Sequence, residues 1–272
     1  MTFSIMLILG VAVLSVALRS FQGAFLQKLG AIGILATSFL VGYLPTQNFL
    51  LGFVFAASWF LLPWLEILTR IRKLRLPLEK NLRHRVAPSR DAFPALEELS
   101  DELEEEGFEH IEDAGWDWED YQQFFRLYYR REDRFQAAIC MIDQRDISFY
   151  FLSVSSRTQD GITYTTWNYP FSHSLKLVPQ LKVNRLRSDQ TFFELCSNHR
   201  AFLRKHGVST AQLTNPGPKE IQDQIQKDLR AQVVYNIGKG VLKRTDEGQI
   251  RYSWRGLFFI WIQCLRDIVR LS

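Results

Sequence analysis

The side chains whose types and spacing could carry chemistry are few and widely separated. Cys196 and His199 form a C-x-x-H pair on one face of an expected helix, and His206 lies two turns further along it. Three such ligands suit zinc. The same positions, however, continue an apolar stripe of Phe192, Leu195, Phe202 and Leu203, and core packing accounts for them more simply. His173, flanked by Ser172 and Ser174, could be drawn with Asp160 as a hydrolase triad, but nothing places a nucleophile at a sharp turn. Asp143, Asp146 and Asp160 fall near expected strand ends, where turn chemistry favours Asp in its own right.

The row Arg126, Tyr128 and Arg130, with Phe124, is a candidate contact surface. Alternating cations and rings can stack on and neutralise a single nucleic-acid strand. The surrounding region is not uniformly basic and carries no RNA-binding motif, so a protein partner is expected there in preference to nucleic acid. Cys140, Cys196 and Cys264 are odd in number and far apart, which points to free thiols. The chain contains no G-x-x-x-x-G-K, G-x-G-x-x-G, G-x-S-x-G or H-E-x-x-H sequence. No cofactor and no metal are expected.

The elements that must position these residues fall into two chemical regimes. The chain has 272 residues, 47% of them apolar, which by itself describes an ordinary soluble protein. Residues 1–69 nevertheless hold only three charged side chains, Arg19, Lys28 and Glu66. Three apolar stretches lie within them, at about 3–20, 24–44 and 49–68. A transmembrane helix needs about 20 residues at ~1.5 Å each to cross ~30 Å of hydrocarbon. Three spans are expected, the first slightly short. A signal peptide fits the first less well, because its start lacks Lys and Arg and no small-x-small cleavage site follows. Core helices of a soluble protein would need a polar face, which these runs lack.

Pro45, Thr46, Gln47 and Asn48 make a tight uncharged connection, so the second and third spans should form an antiparallel hairpin. Lys28 can extend its ammonium to the headgroups, Trp59 and Trp64 suit an interface, and Pro63 is a candidate kink. Two small-residue pairs, Gly33 with Thr37 and Gly52 with Ala56, suit close helix packing within the chain.

Net charge then changes abruptly. Residues 1–69 sum to +1, 70–90 to +7, 91–120 to −14 and 121–272 to +10, giving +4 overall. The basic collar contains Arg70, Arg72, Lys73, Arg75, Lys80, Arg83 and Arg85, with Arg90 at its end. Loop charge sets orientation. Three spans with the N-terminus outside put Arg19, Lys28 and the collar in the cytoplasm. The collar is also the expected contact with anionic lipid headgroups, at about 1 kcal/mol per basic residue.

Beyond the linker at 70–90, residues 91–207 read as a cytoplasmic α+β domain. Phe93, Leu96, Leu99 and Leu103 mark a helix over 92–106 capped by Asp91 and stopped by Gly107. Strands are expected at 108–112, 122–130, 135–143, 148–156 and 162–167, with a further short one at 181–186. The gaps are too short for crossover helices, which makes the sheet an antiparallel meander. Asp189 is the expected cap of a helix running to His206. A linker at 208–218 precedes a helix–hairpin–helix extension over 219–272, the hairpin turning at Asp246-Glu247-Gly248. The last helix, from Gly256, suits either core packing or a membrane surface.

The fold class expected is therefore three N-terminal transmembrane helices plus a cytoplasmic α+β domain whose meander is flanked by helices. The function expected is a membrane-anchored binding or scaffolding domain contacting the lipid bilayer and a membrane or cytoplasmic protein. A membrane-bound enzyme on a lipid or envelope precursor, and an accessory subunit of a larger membrane complex, are the alternatives.

Overall fold

The computed structural model describes residues 2–21, 24–144, 147–186, 190–245 and 248–271. In chain order, the N-terminal part contains α1 (Thr2–Arg19), α2 (Ala24–Thr46), α3 (Phe49–Glu66), β1 (Leu76–Pro77) and β2 (Arg83–His84). Then come α4 (Leu96–Glu105), β3 (Glu109–Trp118), β4 (Tyr121–Arg130), β5 (Phe135–Gln144), β6 (Ile147–Arg157), β7 (Thr163–Trp167) and β8 (Leu181–Arg185). The chain closes with α5 (Phe192–Lys205), α6 (Pro218–Gly238), β9 (Leu242–Arg244), β10 (Gln249–Tyr252) and α7 (Trp254–Leu271). It divides into a helical unit (residues 1–74, 172–174 and 251–272) and a sheet unit (75–171 and 175–250).

Among the described residues of the helical unit, two helices, not three, are long and apolar enough to cross a membrane. They are α2 over Phe25–Thr46 and α3 continued by a π-helical turn to Ile71, 22 and 23 residues long. The expected first span is α1. Its apolar helix, Phe3–Arg19, is shorter, about 26 Å at ~1.5 Å per residue against ~30 Å of hydrocarbon.

Glycines set the spacing of these helices. A Cβ on Gly30 or Gly33 of α2 would strike Ser15 or Arg19 of α1. On Gly42 it would meet the Leu51 carbonyl of α3, and on Gly52 the Phe39 ring of α2. Trp59 donates its indole N–H to Ser38 Oγ at 2.7 Å between α3 and α2. The glycine of each expected small-residue pair thus lies at a contact within the chain. The α2–α3 connection is tight: Gln47 takes a left-handed φ of 53°, and the Asn48 side chain accepts from the Leu50 amide to cap α3.

The sheet unit is built on seven strands in the order β2-β3-β4-β5-β6-β7-β8. From β2 to β7 neighbours pair antiparallel, as the meander reading requires, whereas β7 and β8 pair in parallel. Residues 168–180 make that return possible, since a parallel pair needs a crossover of about a dozen residues. A second, three-stranded sheet has the order β1-β10-β9.

Alternation along β4 determines the layers. Phe124 and Tyr128 belong to one apolar cluster with Phe93, Leu96 and Leu103 of the α4 region and Phe192, Leu195 and Leu203 of α5. Phe125, Leu127 and Tyr129 belong to the other, with Leu82 and with Ile221, Ile225 and Leu229 of α6. Helices therefore cover both faces.

Several boundaries differ from expectation for identifiable reasons. β3 runs to Trp118 instead of ending near residue 112. Its register shifts between His110 and Glu112, and Gly115 sits where the β4 backbone approaches. α4 begins at Leu96, four residues late, because Phe93 and Ala92 bond back to the Ser89 carbonyl in a turn before Pro94. α5 is capped by Thr191 through a reciprocal capping box with Glu194. Asp189, like Asp146, Asp246 and Glu247, lies outside the described residues. The collar contributes β1 and β2, and the stretch 208–218 carries Leu213 into the core and Asn215 to the Tyr129 hydroxyl at 2.7 Å. Of the expected 219–272 extension, α6 lies with the sheet unit and α7 with the helical unit.

Gly115→Ala tests the closest approach of a glycine to backbone among these. The new methyl would meet the Gln123 carbonyl oxygen and Arg85 Cδ. The expected loss is about 2 kcal/mol of stability, measured as a fall in the thermal midpoint of the full chain in detergent. Gly238→Ala, with open space around its Cβ, should leave the midpoint unchanged or raise it.

Candidate functional site

The collar divides between the two units. Arg70, Arg72 and Lys73 follow α3 directly in the helical unit and are exposed. Arg70 pairs with Glu66 one turn back at 3.1 Å, and the Arg72 guanidinium lies 4.8 Å over the Trp254 ring. In the sheet unit, the Arg75 carbonyl accepts from the Trp118 indole at 2.9 Å, and Arg83 is exposed on β2. Lys80 lies 4.5 Å over the Trp116 ring, where burial pushes its ammonium down to about 8. Arg85 is half-buried between Asp117 and Gln122. Lys80 and Arg85 are thus engaged by the sheet unit itself. Of the seven expected lipid-contact residues, Arg70, Arg72 and Lys73 stand beside the last turn of α3 and the other four lie on the sheet unit.

The Arg126–Tyr128–Arg130 row is not an open surface. α4 and α5 cover that face of the sheet, leaving Tyr128 1% and Arg130 6% exposed. Arg126 forms a fork–fork pair with Asp113, Nε to Oδ1 at 2.9 Å and Nη2 to Oδ2 at 2.8 Å, and donates to Ser100 Oγ at 3.0 Å. His110 Nε2 lies 3.0 Å from the same carboxylate. Burial alone would push the Asp113 carboxyl up; the hydrogen bonds and charges of Arg126 and His110 outweigh it and hold it below the usual carboxylate range. Arg130 donates to the Glu106 carbonyl at 2.7 Å and to Asp133 at 2.5 Å, with its guanidinium 4.5 Å over the Phe108 ring. Arg200 of α5 joins at Asp133. These cations knit β4 to the elements that cover it. A residue-by-residue alternation rule marks the face they occupy but not whether a helix lies over it.

The C-x-x-H pair is likewise interior. His199 is fully buried between the Ser156 and Thr166 hydroxyls, each 3.0 Å from one ring nitrogen, with Phe135 edge-on at 4.8 Å. Two hydroxyls suit either neutral tautomer. Burial, assisted by the Arg200 charge, pushes the imidazole down to about 3. The Cys196 and Cys140 thiols are pushed up to about 12 by burial, so neither offers a thiolate. His206 is exposed and bonds the Phe202 carbonyl. Among the described residues, no group of three His, Cys, Asp or Glu side chains gathers as for a metal.

His173 belongs to the helical unit and Asp160 to the sheet unit. Ser172, drawn beside His173, is committed elsewhere: its amide and hydroxyl both donate to the Asp267 carboxylate of α7, at 2.7 and 2.5 Å. Asp160 precedes Gly161 (φ 84°) in a turn closed by the Gly161 amide on the Thr158 carbonyl. Asp143 pairs opposite Gln122 and Ser148 in the sheet.

The arrangement that sequence reasoning did not reach is an aromatic junction in the helical unit. Trp64 of α3 stacks on Trp261 of α7 at 5.7 Å and meets Phe258 edge-on at 4.9 Å. The Trp261 indole donates to the Phe60 carbonyl at 2.8 Å. Its partners are some 200 positions apart, and the only sequence signal is the aromatic richness of each helix. Around it α2 and α3 expose their apolar side chains, with only 11% of either segment buried. Phe25, Phe53, Leu62 and Leu65 are each more than half exposed.

No protein-family model, no curated protein and no solved structure matches the chain.

His199 generates a pH prediction. Its folded-state pKa lies below the unfolded value, so between about 6.5 and 3 the unfolded chain binds a proton that the folded chain does not. Stability then falls as pH falls through that window, by about 2 kcal/mol between pH 7 and 5. Denaturant midpoints of the full chain in detergent should show this loss, and His199→Gln should remove it. A His199→Gln variant with an undiminished acid slope would refute the assignment.

Proposed function

We propose that the chain is an integral membrane protein whose helical unit anchors the sheet unit at the cytoplasmic face, where it serves as a binding or scaffolding domain. The observation that carries this reading is the apolar exposure of α2 and α3. A core helix of a soluble protein buries its apolar side chains, whereas these two have only 11% of either segment buried and expose Phe25, Leu29, Ile32 and Val41 of α2 and most of the apolar side chains of α3. Lipid is the solvent in which that surface is stable.

Charge supports the orientation. The hairpin connection at 45–48 is uncharged, while Arg19 and Lys28 flank the start of α2 and Arg70, Arg72 and Lys73 follow α3. Both basic ends of one hairpin then lie on the cytoplasmic side. In this reading α2 and α3 are the spans, and α1 is held against α2 at Gly30 and Gly33. Arg70, Arg72 and Lys73 meet anionic headgroups, each adding about 1 kcal/mol. The protein partner is a basic surface received by α4, whose Glu97, Glu98, Asp101 and Glu105 are exposed.

The test is alkaline carbonate extraction of membranes carrying the full-length chain. The protein should remain with the membrane pellet and be released only by detergent. Recovery in the carbonate supernatant would sink the integral assignment. A cysteine placed at Gln47 should react with an impermeant maleimide added outside intact cells, and protection there would reverse the orientation.

A further inference from the structure

α7 carries two apolar stripes, one buried and the other about half exposed. At ~100° per residue, Gly256, Leu257 and Ile260 fall on one side of the helix and are buried. Trp254, Phe258 and Ile262, spaced four apart, fall on another and are 56%, 52% and 45% exposed. A globular core has no use for that second stripe.

The edges of the exposed stripe have opposite characters. On one side stand Arg255 and Arg266, both exposed. On the other stands Trp261, stacked on Trp64 and bonded to the Phe60 carbonyl of α3. The stripe is therefore continuous with the exposed apolar surface of α3 at Leu61, Leu62 and Leu65. At the start of α7, Trp254 lies beneath the Arg72 guanidinium, the residue that follows the end of the α3 segment. An indole paired with a cation at the end of a span, followed by an apolar stripe bordered by arginines, is the composition of a helix at a membrane–water boundary.

We infer that α7 is a second membrane-attachment element: its Trp254–Phe258–Ile262 stripe lies in the acyl region of the cytoplasmic leaflet, with Arg255 and Arg266 at the phosphates. This rests on the anchored reading above, because the stripe shares its solvent with α3. It adds that the chain returns to the bilayer after the sheet unit. That unit, spanning residues 75–250 apart from 172–174, is then tethered to membrane at both ends and not by one flexible stalk.

Nitroxide scanning of the full-length chain in phosphatidylcholine–phosphatidylglycerol vesicles tests this, in a Cys264→Ser background where Cys140 and Cys196 are buried. Labels at Phe258→Cys and Ile262→Cys report the stripe. Phe53→Cys on α3 reports lipid, and Arg204→Cys on α5 reports water. The oxygen-to-nickel-chelate accessibility ratio at both stripe positions should match Phe53→Cys and exceed Arg204→Cys by about tenfold. A water-like ratio at the stripe with a lipid-like ratio at Phe53→Cys would overturn this inference and leave the anchored reading standing. A water-like ratio at Phe53→Cys would overturn both. Shielding of the stripe from both reagents, or spin–spin broadening there, would assign the surface to a protein partner or a second copy and would also overturn it. Agreement between the two stripe labels guards against a local folding defect in either variant.

Discussion

Strand β4 cannot be left open on either side, and the architecture of the sheet unit follows from that. Its alternation sends Phe124 and Tyr128 to one face and Phe125, Leu127 and Tyr129 to the other. Fully burying side chains of this size is worth about 1.5–3 kcal/mol each, so a sheet with one wet face would forfeit several of those contributions. α4 and α5 close one side and α6 the other. Because the two arginines of β4 lie on the first face as well, covering it brings Arg126 and Arg130 under the helices. Asp113, Asp133 and the Glu106 carbonyl are the acceptors that make this tolerable. A buried cation lacking such partners would cost several kcal/mol.

The same covering explains what was legible in the sequence and what was not. The strands β4 to β7 are visible because their β-branched and aromatic runs are dense and their gaps short. β3 is half visible: Asp113, Gly115 and Asp117 disguise its second half, although Ala114 and Trp116 continue the period-two pattern onto the α6 side. β1 and β2 are two residues each and owe their pairing to β10 and β3, so no local periodicity exists to find. The Arg126–Tyr128–Arg130 row lies on the face that alternation predicts but is covered there, since exposure depends on α5, which begins more than sixty residues later. The C-x-x-H pair is the reverse case. Its apolar neighbours identify it as a core position, and the Ser156 and Thr166 hydroxyls supply the polar partners a buried imidazole needs.

Charge behaves in a comparable way. A net +7 over 70–90 looks like one continuous collar. In three dimensions it is split by the unit boundary at residue 75. The arginines and the lysine nearest α3 keep their exposure, while Lys80 and Arg85 turn to Trp116, Asp117 and Gln122 on the sheet. Counting charge along a segment gives its potential to bind anions. Taken one by one, its cations divide between those beside α3 and those bound into the sheet.

Chain order adds a constraint that neither composition nor packing expresses. The helical unit is discontinuous: α1 to α3 come first, Ser172 follows about a hundred residues later, and α7 comes last. Ser172 and α7 are joined by two hydrogen bonds to the Asp267 carboxylate, and α7 reaches α3 through the Trp64–Trp261 stack. During synthesis the hairpin of α2 and α3 exists long before either contact can form. The indole of Trp64 and the carbonyl of Phe60 therefore wait for Trp261 until the whole sheet unit has been made. Closing so long a loop is entropically unfavourable, though the cost grows only with the logarithm of its length. A sheet unit folded in between shortens the effective loop to the distance between its own ends. The helical unit is thus completed by a helix that is made only after the whole sheet unit.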